Sequence, residues 1–598
     1  MLLVIGGSAM AQDAAVVPSP RMAMGLIVKL KDAKPPSVVR LKASAVPSDG
    51  PPRQRQRMAD AARRKRVSFL VSRQTAFGAT VIHPGHVISI EEAQAQAERL
   101  RADPDVEWVV VNEIVKKQAI TSAYVPVDPL PQASTQTWLG SVTSTGLPGI
   151  ANIEAAWTKL TDGRALTPVV VAVLDTGILP DPSLQGRYMP GYDFVYKAVL
   201  ANDGDGIDPD PTDMGDGITA LDIANHPDVF NGQATGCPNQ VAINSWHGLE
   251  VSGLLGANVD GHAGMLAPLR GASNAQVILP VRVAGKCGAE IASIIEGMLW
   301  SANVPYQGSP TANAHPAARV INLSFGGGGV CSLANPTRDA GWLYANTIAT
   351  LKSQGVLVVA SAGNGDDTIG EGAPTLPANC TGVLAVTGLD MRGYKTGYAN
   401  LIAHGVAVAS GDLKPDRHFA DAGIVITSYD DVNTTYYMRT VAGTSFAAPQ
   451  AAGVAAMMLA VNPALTVDQL IQGIETSARA HVTSADLASV DWTGVPTQSR
   501  PQSNCSSANL SQCYCTTATC GAGILDAAQA VDWAVAQVGG FTGPASSYAS
   551  PNSYFVAPRP AAVAPAGGGG GGSLGWIELF GLASLTAMAA AFKRRQSV

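Results

Sequence analysis

Charge is what this chain has least of. Only 14% of its 598 residues are Asp, Glu, Lys or Arg, against ~25% in an ordinary soluble domain. Thirty-nine basic residues against 46 acidic ones leave a net charge of −7, so no overall basic surface exists to attract nucleic acid. Cysteine is missing from the first 236 positions, and the eight cysteines that follow form no CxxC pair and no Cys/His zinc spacing. That excludes the common structural zinc motifs. Glycine and proline are plentiful (63 and 39) but carry no collagen period, and no internal repeat runs through the chain. What is present is apolar: 46% of residues are hydrophobic, enough for a large core and too much for wholesale disorder.

The few charges are unevenly spread. From Met22 to Lys117 there are 17 Lys/Arg and 10 Asp/Glu, a net of +7; from Gln118 to Trp533 there are 17 and 34, a net of −17. A basic segment ahead of an acidic one suggests two units that attract each other. A basic, solvated face on an ordinary domain accounts for the same numbers.

Both termini carry targeting features. Residues 1–11 are a short apolar stretch ending in Ala9-Met10-Ala11, a small-residue cleavage site of the secretory type, although no basic segment precedes it. At the other end six glycines, Gly567 to Gly572, precede about 20 mostly apolar residues and then Lys593-Arg594-Arg595. That length just spans a bilayer, with the basic stop on the cytoplasmic side. The tail over 573–598 resembles the Gly-Gly C-terminal sorting signals of Gram-negative bacterial exoproteins, which are cut near the glycines. A permanent single-pass anchor is the rival reading. Either way the body of the protein is expected outside the cytoplasm, secreted or at the cell surface or outer membrane after export through the periplasm. The even cysteine count in an exported chain points to disulfides, although eight cysteines allow 105 connectivities.

Residues 22–117 read as strand, helix, strands, helix, strand, a pattern that suggests a ferredoxin-like layer of two helices on an antiparallel sheet. A Pro/Gln-rich linker follows over 118–136. Over 138–538 strands and helices alternate, the signature of a mostly parallel sheet covered on both faces. Buried strands are predicted at 168–175, 275–283, 318–325, 355–363 and 382–389. Helices are predicted at His247–Ala257, Ile291–Ala302, Ala340–Gln354 and Ser445–Val461. Residues 541–572 read as a flexible Pro/Gly-rich stalk.

Four polar residues stand where such a sheet places chemistry. Asp175 ends the apolar run VVVAVLD, at the strand's C-terminal end, where open α/β sheets put their sites. His247 and Ser445 each begin a small-residue helix, and a serine there lies near unpaired N–H groups and the positive end of the helix dipole. Asn364, in VVASAGNGD, follows another buried strand, and its NH₂ group could stabilise a developing oxyanion. Taken singly, each has an ordinary explanation as a cap or a surface residue.

Together, the order Asp…His…Ser with Asn between His and Ser matches the subtilisin arrangement of a catalytic triad. The flanking strings VAVLDTGI, HGLEVSG, INLSFGG, ASAGN and GTSFAAPQAAG resemble the subtilase family of serine endopeptidases over roughly residues 138–535. The resemblance implies a three-layer α/β fold, with Ser445 as nucleophile, His247 as general base, Asp175 as its orienting carboxylate and Asn364 in the oxyanion hole. It implies that Ser324-Phe325-Gly326 and Ser361-Ala362-Gly363 line the specificity pocket and pair with an extended peptide substrate. It also implies that the basic 22–117 unit is a propeptide, both chaperone and inhibitor. Departures from the family pattern are Leu249-Glu250 after the His247-Gly248 pair, Phe446 after the serine, and Gln450.

The family often carries calcium. Asp203, Asp205, Asp208, Asp210 and Asp213 pack five carboxylates into eleven residues, hard oxygen ligands of the right kind, although no EF-hand Glu closes the loop. Analogy with secreted bacterial relatives pairs Cys237 with Cys287 and Cys331 with Cys380; the connectivity of the last four stays open, with Cys505–Cys513 and Cys515–Cys520 the pairing favoured. The expectation is a monomeric secreted serine endopeptidase that acts on proteins or peptides, needs no cofactor for catalysis, and is inhibited by its own propeptide. It would touch the inner membrane only through the tail, before processing. A catalytically silent surface binding module of the same fold is the alternative.

Overall fold

The computed structural model describes residues 21–31, 52–75, 77–117, 136–230, 237, 240–259, 262–269, 276–304, 315–365, 372–412, 423–490, 492 and 500–540. The expected leader (1–11), stalk (541–572) and C-terminal tail (573–598) lie outside the described residues, as does the linker but for Gln136.

In the N-terminal unit, Ile90, Ala93, Ala97 and Leu100 recur at three- and four-residue spacing, so the helix α2 (Ile90–Arg101) turns all four to one side and buries them. Ser89 caps the start of α2 by accepting from the Glu92 N–H, and the first turn carries Glu91 and Glu92 while Arg99 and Arg101 sit at the end, as the helix dipole favours. With α1 (Pro52–Arg64) it lies on an antiparallel sheet of β1 (Met22–Leu30), β2 (Val71–Gln74), β3 (Thr80–His83), β4 (Ile88–Ser89) and β5 (Val106–Lys117). The order β5-β1-β3-β2 is the expected ferredoxin-like arrangement, with β4 pairing with β1.

The sheet's two faces go to different partners. Ala23, Leu26, Val28, Leu30, Val106 and Val109 pack under the unit's own helices. Ile27, Val81, Trp108, Val110 and Val115 join the core of the following domain, and Met22 and Met24 meet Leu200 and Phe230. This unit therefore leaves half its sheet for another body to cover. Charge follows the same division: Arg73 donates to Glu296 at 2.6 Å with both side chains buried. The attraction expected from the charge split is realised there, at a buried interface.

The second body is built on seven parallel strands in the order Val406–Ala409, Val383–Leu389, Leu357–Ser361, Val320–Leu323, Val171–Asp175, Ile278–Arg282 and Tyr192–Asp193. The five predicted buried strands are among them, each somewhat shorter than its apolar run. Side chains alternate between the two faces: Val171, Val173, Leu357 and Val359 enter one apolar core, whereas Ala172, Leu174 and Val358 enter the other. Helices His247–Gly256 and Ala448–Val461 cover the first face; Ile291–Ser301 and Ala340–Ser353 cover the second.

Two elements depart from expectation. The predicted Ser445–Val461 helix starts as a 3₁₀ turn, Thr444–Phe446, and becomes α-helical at Ala448, with Pro449 in its first turn. Proline lacks an N–H, and only the first turn tolerates that. An antiparallel hairpin, Ile424–Asp430 with Thr435–Val441, appears that no sequence signal pointed to. The helical stretch Thr444–Val461 is apolar and long enough to cross a membrane, but 94% of it is buried in the protein, where it serves as a core helix.

All four disulfides form as expected: Cys237–Cys287, Cys331–Cys380, Cys505–Cys513 and Cys515–Cys520. The five-carboxylate loop does not gather as expected. Only Asp203, Asp205 and Asp208 bring carboxylate oxygens within 4.8 Å of one another. Asp210 turns back to accept from Thr212 N–H and Oγ1, and Asp213 accepts from Thr176 Oγ1 at 2.6 Å. Asp203 is also taken up by the buried Arg282 guanidinium, which holds Asp193 as well. Asp203, Asp205 and Asp208 are thus the carboxylates of the set that a cation could draw on, with Arg282 sharing Asp203 and the other oxygens that calcium takes left to backbone carbonyls and water. Asp210 and Asp213 are engaged elsewhere and do not join them.

Candidate active site

Asp175, the last residue of its strand, is fully buried and faces the start of the helix His247–Gly256. His247 Nδ1 lies 2.7 Å from Asp175 Oδ1, which also accepts from the Thr176 N–H at 2.8 Å. The helix can come this close because residue 248 is glycine: a Cβ there would stand 2.1 Å from the Gly177 carbonyl oxygen. The Gly248 N–H donates to Thr176 Oγ1, which donates in turn to Asp213, so one strut ties the aspartate loop to the histidine helix. Burial, with Asp216 nearby, pushes the Asp213 carboxyl up to about 7. Phe325 meets the His247 ring edge-to-face at 6.0 Å and Phe446 lies 5.6 Å away, leaving the imidazole packed in apolar surroundings.

Glu250, one turn along the helix, is buried as well. It accepts from Ser428 Oγ at 2.7 Å and pairs with Arg439, both from the unexpected hairpin. Burial raises its carboxyl and the Arg439 guanidinium opposes that. The hairpin thus supplies the counter-charge that makes Glu250 tolerable beside the site.

Ser445 sits in the turn before the Ala448–Val461 helix and is buried. Its Oγ donates to the Ser324 carbonyl at 3.1 Å, and Ser324 Oγ returns a bond to the Ser445 carbonyl at 2.9 Å. His247 Nε2 is buried with no hydrogen-bond partner among the described residues. The Ser445 hydroxyl bonds to Ser324 and not to the histidine; the expected Ser445–His247 bond is not made in this conformation. Asn364 Oδ1 accepts from Thr444 N–H at 3.1 Å and Thr444 Oγ1 at 2.8 Å. An amide whose oxygen is held this way has its orientation set and its NH₂ end defined as the donor.

The two expected substrate edges differ in use. Phe325 and Gly326 pair antiparallel with Lys117 and Lys116 of β5, while Ala289 and Glu290 take Val115 and Ile114. The end of the N-terminal unit thus lies as a strand between two edges of the cleft. By contrast, Ala362 has its N–H on Val386 and its carbonyl on Thr375 and Asn400, and Gly363 bonds Thr444 Oγ1 and the Asn400 N–H. The backbone of Ser361-Ala362-Gly363 is consumed internally, so this segment can line a pocket but is not an edge for strand pairing. Thr176, Asp216, Ser245, Thr444 and Arg439 were not anticipated. Thr176 and Thr444 were adjacent to motif residues, but their partners lie 37 and 80 positions away.

Comparison with known proteins follows the same lines. Residues 167–506 match the model of the subtilase family. The chain is 32% identical over 412 residues to the extracellular protease of Xanthomonas campestris pv. campestris, covering 68% of this chain and 61% of that protein. It is 32% identical over 395 residues to the extracellular basic protease of Dichelobacter nodosus, covering 65% of this chain and 56% of that protein. It thus spans about three-fifths of the length of these relatives. Among solved structures, the epidermin leader peptide processing serine protease from Staphylococcus aureus superposes with a TM-score of 0.50 at 15% identity, covering 88% of this chain and 100% of the other, a likeness of fold.

Proposed function

This chain belongs to the subtilase family, and from that premise we propose that it is a secreted serine endopeptidase made as a self-inhibited zymogen. The observation that carries the reading is the buried 2.7 Å Asp175–His247 pair facing a serine at a helix start. A serine hydroxyl is a weak nucleophile at neutral pH and needs a base to take its proton as it attacks. Ser445 Oγ rotates from the Ser324 carbonyl to His247 Nε2 and adds to the scissile carbonyl; His247 takes the proton and then passes it to the leaving amine. Asp175 holds the imidazole's Nδ1–H and stabilises the positive charge. The oxyanion forms between the Ser445 N–H and the Asn364 NH₂. The amine departs, an acyl-enzyme remains, and water activated by His247 hydrolyses it. This chemistry calls for no metal.

Self-inhibition rests on the β5 end. It occupies the cleft edges as a peptide strand would, is backed by buried apolar surface, and leads towards the serine. Its Asn112 also accepts from the Ala292 N–H, capping the Ile291–Ser301 helix, and donates to the side chain of Glu290, the residue at that helix's start, which makes no capping bond of its own.

The test is fluorophosphonate labelling of the secreted protein against its Ser445→Ala variant, with intact masses. Labelling of wild type alone, on a species that has lost the N-terminal unit, is expected. A folded, secreted wild type that takes no probe after the N-terminal unit is removed would favour the silent binding module.

A further inference from the structure

Lys117, the last described residue of β5, does more than pair with Phe325. Its ammonium lies 2.6 Å from Asp216 Oδ2, although 99 positions separate the two. Asp216 is no loose surface acid. Its side chain is 9% exposed. Ser245 donates its N–H to Oδ1 and its hydroxyl to Oδ2, each at 2.7 Å. Ser245 Oγ accepts from the His247 N–H, so the carboxylate is anchored to the residue that begins the histidine helix. Arg439 donates to the Ser245 carbonyl but is paired with Glu250. Asp213 adds a second carboxyl close by. Asp216 is therefore the carboxylate left for whatever side chain enters from the cleft.

Register fixes where that side chain stands along a bound peptide. Lys117 pairs with Phe325 in an antiparallel ladder, and the residue before Phe325 is Ser324, whose carbonyl holds the Ser445 hydroxyl. A peptide running as β5 does thus places its next residue beside Ser324 and Ser445. Under the protease reading, this register assigns the group bonded to Asp216 to the second residue before the bond that Ser445 would attack.

We propose that Asp216, held by Ser245, is the specificity determinant of a cation-selective subsite, so that the protein cleaves preferentially where Lys or Arg is the second residue upstream of the scissile bond. The proposal rests on the protease reading above. A cation at that position replaces the water that solvates Asp216 with a charge-assisted hydrogen bond. A neutral side chain covers a partly buried carboxylate without pairing it, and an acidic one meets like charge. Sites built around a buried polar group reject ligands that leave it unpaired more strongly than apolar pockets reject a misfit.

The test uses matured protein and peptides identical except for Lys, Arg, norleucine or Glu at that second position. Fluorophosphonate labelling is read alongside for every variant, so that loss of the triad is told apart from loss of selectivity. Wild type is expected to show kcat/KM at least tenfold higher for Lys and Arg than for norleucine, with Glu lowest. Asp216→Asn keeps an acceptor for Ser245 and is expected to bring the Lys-to-norleucine ratio below about threefold. A labelled wild type with no basic preference there, or an Asp216→Asn variant that retains it, overturns the proposal; an unlabelled wild type overturns the protease reading instead. Should Asp216→Asn fail to fold, the full-length chain decides: Lys117→Glu is expected to slow self-processing at least tenfold and Lys117→Arg to restore it. Equal rates for the two overturn the proposal.

Discussion

Asn364 and Thr444 illustrate how much of the candidate site depends on single atoms. Thr444 gives both its N–H and its hydroxyl to Asn364 Oδ1, so the donor end of the amide is set by a residue next to Ser445. Under the proposed mechanism Asn364→Leu is expected to lower kcat by about 10²–10³ with a smaller change in KM, because the lost bond strengthens only as the oxyanion forms. Thr444→Val, which removes the hydroxyl but keeps the shape, is expected to lower kcat in the same sense by a smaller factor. Steady-state kinetics on one peptide checks both. A Thr444→Val variant that changes KM alone would mean that Thr444 does not act through Asn364.

Between elements, the decisive contact is backbone against backbone. The His247–Gly256 helix touches the Asp175–Gly177 loop where Gly248 faces Gly177, at a distance that leaves no room for a methyl group. Helix and strand are rigid, so relief must come from moving one away from the other, and a displacement of about 1 Å at a catalytic pair can cost 10²-fold. Gly248→Ala is accordingly expected to abolish probe labelling while leaving the secondary-structure content seen by circular dichroism largely intact. Full labelling of a folded Gly248→Ala protein would show that the helix can shift without separating Asp175 from His247.

For the molecule as a whole, the interface between the N-terminal unit and the body carries a pH dependence. His83 is buried, stacked on Tyr196 at 5.0 Å, with Nδ1 bonded to the Met24 carbonyl. Burial pushes its pKa down to about 4, with Arg73 and Lys197 lowering it further and Glu290 opposing, from an ordinary value of about 6.5. A histidine depressed in the docked state binds its proton more readily once undocked. Its contribution to docking is present above pH 6.5 and is lost as pH falls through the window down to about 4. The cleaved but still bound N-terminal unit is expected to dissociate at least tenfold more readily at pH 5 than at pH 7. His83→Gln, which keeps a donor for Met24, should flatten that dependence. Co-elution of the two parts on size exclusion across this range is the check, and identical pH curves for wild type and variant would remove His83 from the account.

The sequence by itself determined the buried parallel strands, the helices that cover them and the chemical inventory, but not the hairpin Ile424–Asp430 with Thr435–Val441. Apolar runs such as VVVAVLD and GVLVVASAG are buried on both sides and can only be interior parallel strands. Polar residues at their ends, and glycines where a helix begins, mark the site through short-range pattern alone, and the split of charge marks two units. What the tertiary structure decided are the pairings between distant positions. Lys117 with Asp216, Asn112 with the helix at Ile291, Arg439 with Glu250, and Asp213 as a strut to Thr176 in place of a calcium ligand all join groups that neighbouring residues do not foreshadow. The direction of the Ser445 hydroxyl belongs with them. A carboxylate in a sequence shows its charge, but whether it meets a lysine, a hydroxyl or a metal depends on what the folded chain buries beside it, because burial makes each unpaired charge costly enough to select its partner.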